Sequence, residues 1–283
     1  MDQTMYLRDA FVTAGGKEFH TRISFEIYKG YAIQDLNKSK ISLYNLAEDS
    51  KQVLALKQGS VTLNAGYQGN TPIIFTGNYG MEVDDFSSPP VVSTERKGAD
   101  IITTIELADG DIGANGTNLH FSLGPGATLD QIFKILTGAL GVPIESVPKT
   151  LGPFQFLKGF AFAGTTKKLL TEICKKAGMT ASIQNGKLNV FKPEIGVNDP
   201  AILLNESTGL IGVPNKTSIG FRAKSFLNAL LCPGRQVQVE SEYLTKPAIF
   251  VIQRVKHTGD TFEGDWYSEI EGGHFATTAP ANS

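Results

Sequence analysis

The chain has 283 residues, of which 41% are hydrophobic and 19% charged, with 30 glycines, 13 prolines and 9% aromatics. That length suits two or three compact domains, and the glycine and proline usage favours many short strands and tight turns over long helices. A formal net charge of -2 excludes a global field that would draw the chain to nucleic acid or to an anionic membrane.

The N-terminus, Met1-Asp2-Gln3-Thr4, has no basic segment followed by an apolar core. No stretch reaches the roughly 18 apolar residues that span a bilayer, so the sequence implies a chain made and kept in a cytoplasm, with no membrane partner. Cys174 and Cys232 lie far apart in apolar surroundings and read as two buried thiols.

Residues 1–112 read as strands. From Phe19 to Ile27 apolar and polar residues alternate, with Phe19, Ile23, Phe25 and Ile27 on one side, and Lys40–Tyr44 follows the same rule. Asn45 and Glu48 are spaced as a capping pair for a short helix ending near Leu56. Strands at Ser60–Ala65, Ile73–Thr76 and Met81–Val83 follow, then a polar break at Ser87-Ser88-Pro89-Pro90, then Asp100–Leu107.

The middle changes character after the Gly110–Gly116 break. Thr128 with Gln131 gives a capping box, and Leu129, Ile132, Phe133, Leu136 and Leu140 recur at helical spacing. A second helix begins at Thr165 or Thr166, places Leu169, Leu170, Ile173, Cys174 and Ala177 on one stripe, and stops at Gly178. Asn185-Gly186 then joins Met179–Gln184 to Lys187–Phe191 as a hairpin. These elements form a small α/β domain over about 113–197.

The last part returns to strands at Ala201–Leu204, Gly209–Val213 and Ile219–Ala223. A helix-like stretch, Ala223–Leu231, leads through Pro233-Gly234 into an alternating strand from Gln236, and Ala248–Ile252 continues through His257 to a turn at Thr258-Gly259-Asp260-Thr261. Trp266, Ser268 and Ile270 share a face of the returning strand, and from Gly272 the chain reads as a small polar tail. The series helix, glycine turn, strand, loop, strand thus occurs twice, once around Gly59 and once around Gly234. The fold class is therefore mainly β (α+β), with two similar β-barrel modules (1–112 and 198–272), an α/β insert (113–197) and a tail (273–283).

Chemistry is sparse. His20, His120, His257 and His274 are scattered, although Asp260 and Asp265 flank His257 across the turn and could complete a metal site; hairpin ends have the same composition. Acidic residues cluster at Glu82–Asp85, Glu106–Asp111 and Glu263–Glu271 at strand ends. Gly124-Pro125-Gly126 and Gly164-Thr165-Thr166-Lys167 lack the rest of any phosphate-binding motif and read as helix caps. Lys167, Lys168, Lys175 and Lys176 lie off the apolar stripe of their helix, a solvated face without interleaved aromatics. No catalytic, cofactor-binding or metal residue is expected.

The ordering of these parts, with Asn228, Pro233-Gly234, His257-Thr258-Gly259-Asp260-Thr261 and Trp266, resembles the baseplate hub proteins of phage tails, the late-control D and Mu-like hub group. The resemblance runs from about Phe11 to Gly272 and is most specific over 225–270; no fused lysozyme, peptidase or needle-like extension accompanies it. It implies a trimer whose two tube-type barrels per chain make a ring of six, matching a sixfold tail tube or distal tail protein on one side and a threefold central spike on the other. A tape-measure protein is a further implied partner, and DNA would only pass through the lumen. The location implied is the virion tail baseplate, with assembly in the host cytoplasm. Asp84, Asp85, Glu106 and Asp109 would make that lumen slippery to DNA. The alternatives are a cell-wall hydrolase using carboxylates near Asp260 and Asp265, and a small-barrel module that binds carbohydrate or single strands.

Overall fold

The computed structural model describes residues 7–33, 37–56, 59–79, 92–109, 117–197, 199–217, 220–244 and 247–275. The expected strand Met81–Val83, the break at Ser87–Pro90, the Gly110–Gly116 break and the carboxylates Glu82, Asp84, Asp85 and Asp111 lie outside the described residues.

The first part contains β1 (Arg8–Ala14), β2 (Lys17–Phe19), β3 (Ile23–Gly30), β4 (Asn37–Tyr44), helix α1 (Glu48–Ala55), β5 (Ser60–Tyr67), β6 (Ile73–Tyr79), β7 (Val92–Lys97) and β8 (Asp100–Asp109). The middle contains β9 (Asn118–Leu123), β10 (Ala127–Thr128), α2 (Leu129–Leu140), β11 (Ile144–Ser146), β12 (Gln155–Phe156), β13 (Phe160–Thr165), α3 (Thr166–Ala177), β14 (Thr180–Gln184) and β15 (Lys187–Phe191). The last part contains β16 (Ile202–Leu204), a 3-10 turn (Glu206–Thr208), β17 (Leu210–Thr217), β18 (Gly220–Phe226), β19 (Gln236–Val239), β20 (Ala248–Asp260) and β21 (Trp266–Phe275).

The chain is mainly β, and one 14-stranded sheet carries both outer parts in the order β17-β18-β21-β20-β3-β4-β8-β6-β5-β1-β2, with β19 on β20, β16 on β19 and β7 on β8. Within it one strand order recurs. The series β3-β4-β8-β6-β5-β1 in the first part corresponds to β17-β18-β21-β20-β19-β16 in the last. The copies differ at one end, where β1 runs antiparallel to β5 and β16 parallel to β19. They meet where Arg254–Asp260 of β20 pairs antiparallel with Gly30–Ser24 of β3.

Each part has its own core. The first is built on Val12, Ile23, Phe25, Ile41, Leu63 and Ile105 and also takes in Leu227 and Trp266 from the last part. The last part closes on Leu231, Val237, Phe250, Ile252 and Ile270, and the middle on the apolar stripes of α2 and α3 against β14 and β15. The middle follows its sequence closely. Thr128 and Gln131 form the capping box of α2, Gly178 ends α3 in the left-handed region (φ 64), and Asn185 and Gly186 turn the hairpin with φ 52 and φ 74.

Several sequence expectations are corrected. The strand expected over Phe19–Ile27 is two, β2 and β3, separated at His20–Arg22. Asn45 does not cap α1. It adopts φ 55 and its side chain ties to the β7–β8 turn, donating to Asp100 Oδ1 (2.8 Å) and accepting from Ile101 N–H (2.9 Å), while Ala47 takes the N-cap position with no side-chain bond. The helix-like stretch Ala223–Leu231 is not a helix: β18 runs to Phe226, and a connector that turns at Asn228–Leu231 delivers Leu227 to the first core and Leu231 to the last. Two leucines four apart on a helix would share one face, so serving two cores requires non-helical chain and overrides propensity. The turn expected at Thr258–Thr261 lies beyond Asp260, and β21 continues through Phe275, past the expected start of the tail at Gly272.

Candidate functional site

Pairing of β20 with β3 joins the two outer parts into a continuous antiparallel run, β17-β18-β21-β20-β3-β4-β8, with β7 added on β8. Side chains alternate between two faces along the paired lengths of β3, β20 and β21 around the join. Ile23, Phe25 and Ile27 point inward, as do His257, Ser268 and Ile270, and the intervening residues form one outer face.

That face is organised by charge. Along one row Lys224, Glu269 and Lys256 stand opposite one another on β18, β21 and β20, and along the next Arg222, Glu271 and Arg254 do the same. In the first part the signs invert: Lys40 stands between Glu26 and Glu106. Arg222 is ion-paired with Glu271, Arg254 reaches the same carboxylate at 3.8 Å, and Lys256 pairs with Glu26 at 3.6 Å across the join. Lys224 lies 3.3 Å from the Tyr267 ring centroid and Lys256 5.1 Å from that of Tyr28. Opposite charges on neighbouring strands sit within cross-strand contact distance and lower each other's availability to a third ion.

Beneath the join lies a buried polar junction where the hairpin of the middle part enters. Lys29 continues the inward series Ile23, Phe25, Ile27 and is 2% exposed; its Nζ donates to Asn185 Oδ1 at 3.0 Å. Asp109 continues the inward series Ile105, Leu107 and accepts from the N–H groups of Asn185 (2.6 Å) and Gly186 (2.9 Å). Asn37 accepts from Gly30 N–H (3.0 Å) and donates to Ile183 O (2.7 Å), and Gln184 Nε2 donates to Gly30 O (2.8 Å). Asn185 Oδ1 also accepts from Thr76 N–H at 3.2 Å. Burial pushes the Asp109 carboxyl above its ordinary range, opposed by the Gly186 N–H, the Lys29 charge, Asn37 and the Asn185 N–H. Lys29, Asn37, Asp109 and Asn185 each have a partner here, as buried polar atoms require, while Gln184 Oε1 is buried without one.

This junction corrects the placing of Asp109 on a lumen wall: its parity in β8 is inward, opposite to Glu106, which is exposed on the outer face. Asp84 and Asp85 lie outside the described residues. Sequence reading missed Lys29, Asn37 and Asp109 as a set. The signal available was a lysine and an aspartate extending the apolar inward series of β3 and β8, with Asn37 beyond Ser39 in the inward series of β4 between them.

His257 and its acidic neighbours do not assemble. His257 is fully buried on the inner face, with Nδ1 2.8 Å from Ser268 Oγ, which also accepts from Asn228 N–H at 3.1 Å. Desolvation, and then the Lys29 charge, hold its imidazole well below the ordinary value. Asp260 is on the outer face, gripped by Arg22 through Nε (3.2 Å) and Nη2 (2.9 Å), and Asp265 is exposed. Burial works against the Asp260 carboxylate, but the bonds from Arg22, Phe262 N–H and Glu263 N–H outweigh it and hold its pKa below the ordinary range. Among the described residues no group of three or more His, Cys, Asp or Glu could hold a metal ion. His20 is exposed beside Glu18, His120 is exposed, and the His274 side chain lies outside what is described.

The remaining expected residues are placed as follows. Thr128 and Thr165 cap α2 and α3, in keeping with the reading of the glycine segments before them. Cys174 and Cys232 are free thiols; Cys174 is buried, which pushes it up to about 12, and Cys232 is half-buried. Lys176 lies off the stripe of α3 as expected, but Phe154 and Phe156 come within 5.7 and 5.6 Å of it, aromatics the linear sequence did not associate with that helix.

No protein-family model matches the chain, and the comparison with curated proteins found no match. Solved structures do match. A tail protein from Neisseria meningitidis MC58 superposes with a TM-score of 0.61 at 12% identity over 94% of this chain and 96% of its own. The fold is one that tail proteins share. The 43 kDa tail protein of prophage MuSo2 from Shewanella oneidensis also gives 0.61 at 12% identity, over 94% of this chain and 98% of that one. A component of the type VI secretion system from E. coli gives 0.57 at 10% identity over 95% and 79%. At these identities the likeness concerns architecture, and it extends over nearly the whole length of both tail proteins.

Proposed function

We propose that the chain is a structural hub of a phage tail or a related injection machine, acting without catalytic residues. Its modules over 1–112 and 198–275 flank the α/β insert 113–197, and three copies form a ring in which six similar modules surround a lumen. One side meets a tail tube or distal tail protein, the other a threefold central spike, with a tape-measure protein in the lumen before DNA passes. The site of action is the virion tail baseplate, reached after assembly in the host cytoplasm.

One observation carries this reading. The β20–β3 ladder makes two modules of the same strand order present one continuous polar face, as a tube wall requires. The interleaved charges of that face suit a passage for DNA, since a phosphate meeting Lys256 or Arg222 must compete with Glu26 or Glu271 already in place. The likeness to two tail proteins over nearly their whole length is consistent with it. The hydrolase reading has less support, because Arg22 engages both oxygens of Asp260. Mass measurement in solution, alone and mixed with the spike protein, tests the proposal. A trimer is expected, at the latest on adding the spike, and a strict monomer in both samples would overturn it.

A further inference from the structure

The repeated strand order assigns the surfaces by which copies of this chain join. Within one chain the join is made by two particular strands. One is β20, the first strand of the hairpin β20–β21; the other is β3, which opens the series β3-β4-β8. Each has a counterpart in the opposite module. The counterpart of β3 is β17, which opens the series β17-β18-β21. The counterpart of the β3-paired half of β20 is β7, because β7 pairs with β8 as a hairpin just as β20 pairs with β21, and β8 and β21 hold the same place in the two series.

Both counterparts are edges. Among the described residues β7 is laddered to β8 and β17 to β18, each on one side. Ser93–Lys97 of β7 is exposed throughout, although the first core packs directly behind its neighbour β8. A row of unpaired backbone N–H and C=O groups is a template for another strand.

We infer that β7 of one copy pairs antiparallel with β17 of a second copy, repeating between chains the β20–β3 join made within each. The contact is heterologous, β7 to β17, and leaves a free β7 and a free β17 at the two ends of any open oligomer, so it is satisfied at every edge only in a closed ring. The same pairing would carry the outer face from chain to chain without a break. Pro214 and the left-handed Gly212 (φ 68) interrupt β17, so the ladder is confined to part of that strand. The competing explanation is that both edges are blunted, since Glu95, Arg96 and Lys97 on β7 and Pro214 on β17 are residues that discourage edge pairing.

The inference rests on the trimeric reading, and disulfide trapping separates the failure of one from that of the other. With Cys174 and Cys232 replaced by serine, Ser93→Cys is combined in turn with Asn215→Cys, Lys216→Cys and Thr217→Cys, the end of β17 that the β20–β3 register sets opposite it, and each double variant is oxidised and run on a denaturing gel. At least one pair is expected to give a ladder of covalent dimer and trimer that ends at trimer. Ser93→Cys with Lys17→Cys, on an edge with no role in the join, is expected to stay monomeric. A protein whose solution mass is trimeric but whose β7–β17 pairs all fail to cross-link overturns the inference and leaves the trimer standing. A ladder that stops at dimer overturns it too, since it reports an isologous contact. A monomer at every concentration, with and without spike protein, removes both.

Discussion

Asp109 does at the junction what no apolar side chain could, receiving two backbone N–H groups at the tip of a hairpin that would otherwise be buried unpaired. Asp109→Ala is expected to lower unfolding stability by about 3 kcal/mol, because it strands those donors and removes the carboxylate charge near the buried Lys29. Asp109→Asn keeps one acceptor and should lose less than half of that; denaturant midpoints measure both. His257 gives a test by pH. Its folded-state pKa is depressed, so below the ordinary value of 6.5 an unfolded chain takes up a proton that the native chain refuses. Stability contributed by the neutral imidazole is therefore full above 6.5 and is lost as pH falls toward the folded pKa. Asp260, also depressed, adds a loss only at lower pH, below its ordinary 3.8. His257→Gln, which can still meet Ser268, should flatten the upper part of this curve, and an unchanged slope would mean that another group sets it. Neither role was legible beforehand. His257 drew notice through its sequence neighbours Asp260 and Asp265, yet strand parity sends it to the opposite face from Asp260.

At the level of elements, legibility followed the range of the interactions. α2, α3 and the Asn185-Gly186 hairpin are set by caps, stripes and turn residues a few positions apart, and sequence reading places them within a residue or two. Ala223–Leu231 carries an equally apolar local signal, but pairing of Ala223–Phe226 with β21 and the pull of two separate cores keep it from forming a helix. The Gly59 and Gly234 repeat was visible as a glycine turn, a strand and a second strand, and the structure extends it to a whole strand order while removing the helix from the second copy. The charge ladders could not be seen, because Glu26, Lys40 and Glu106 become neighbours only through register. They carry an expectation of their own. Glu26→Gln, Glu106→Gln, Glu269→Gln and Glu271→Gln together should create duplex DNA binding that weakens with salt, with a slope of about two to three from the freed cations. The same number of substitutions at Glu18, Glu48, Glu172 and Glu194, exposed or half-exposed carboxylates off the face, should not. Fluorescence anisotropy across a salt series distinguishes the two, and equal gains would show that net charge alone matters.

For the whole molecule, the sequence carried the balance of strand and helix, the α/β middle and the doubled module, since these rest on composition and local periodicity. It could not carry the join between modules, because β20 and β3 are separated by most of the chain and nothing local marks them as partners. That join is what gives the two outer parts one continuous sheet face. The proposed placing of this face on a central lumen is tested directly by electron cryomicroscopy of the assembled oligomer. The expected image is a threefold ring of near-sixfold appearance, with Lys40, Lys256 and Arg222 lining the channel; a ring with that face turned outward, or no ring, would contradict the account.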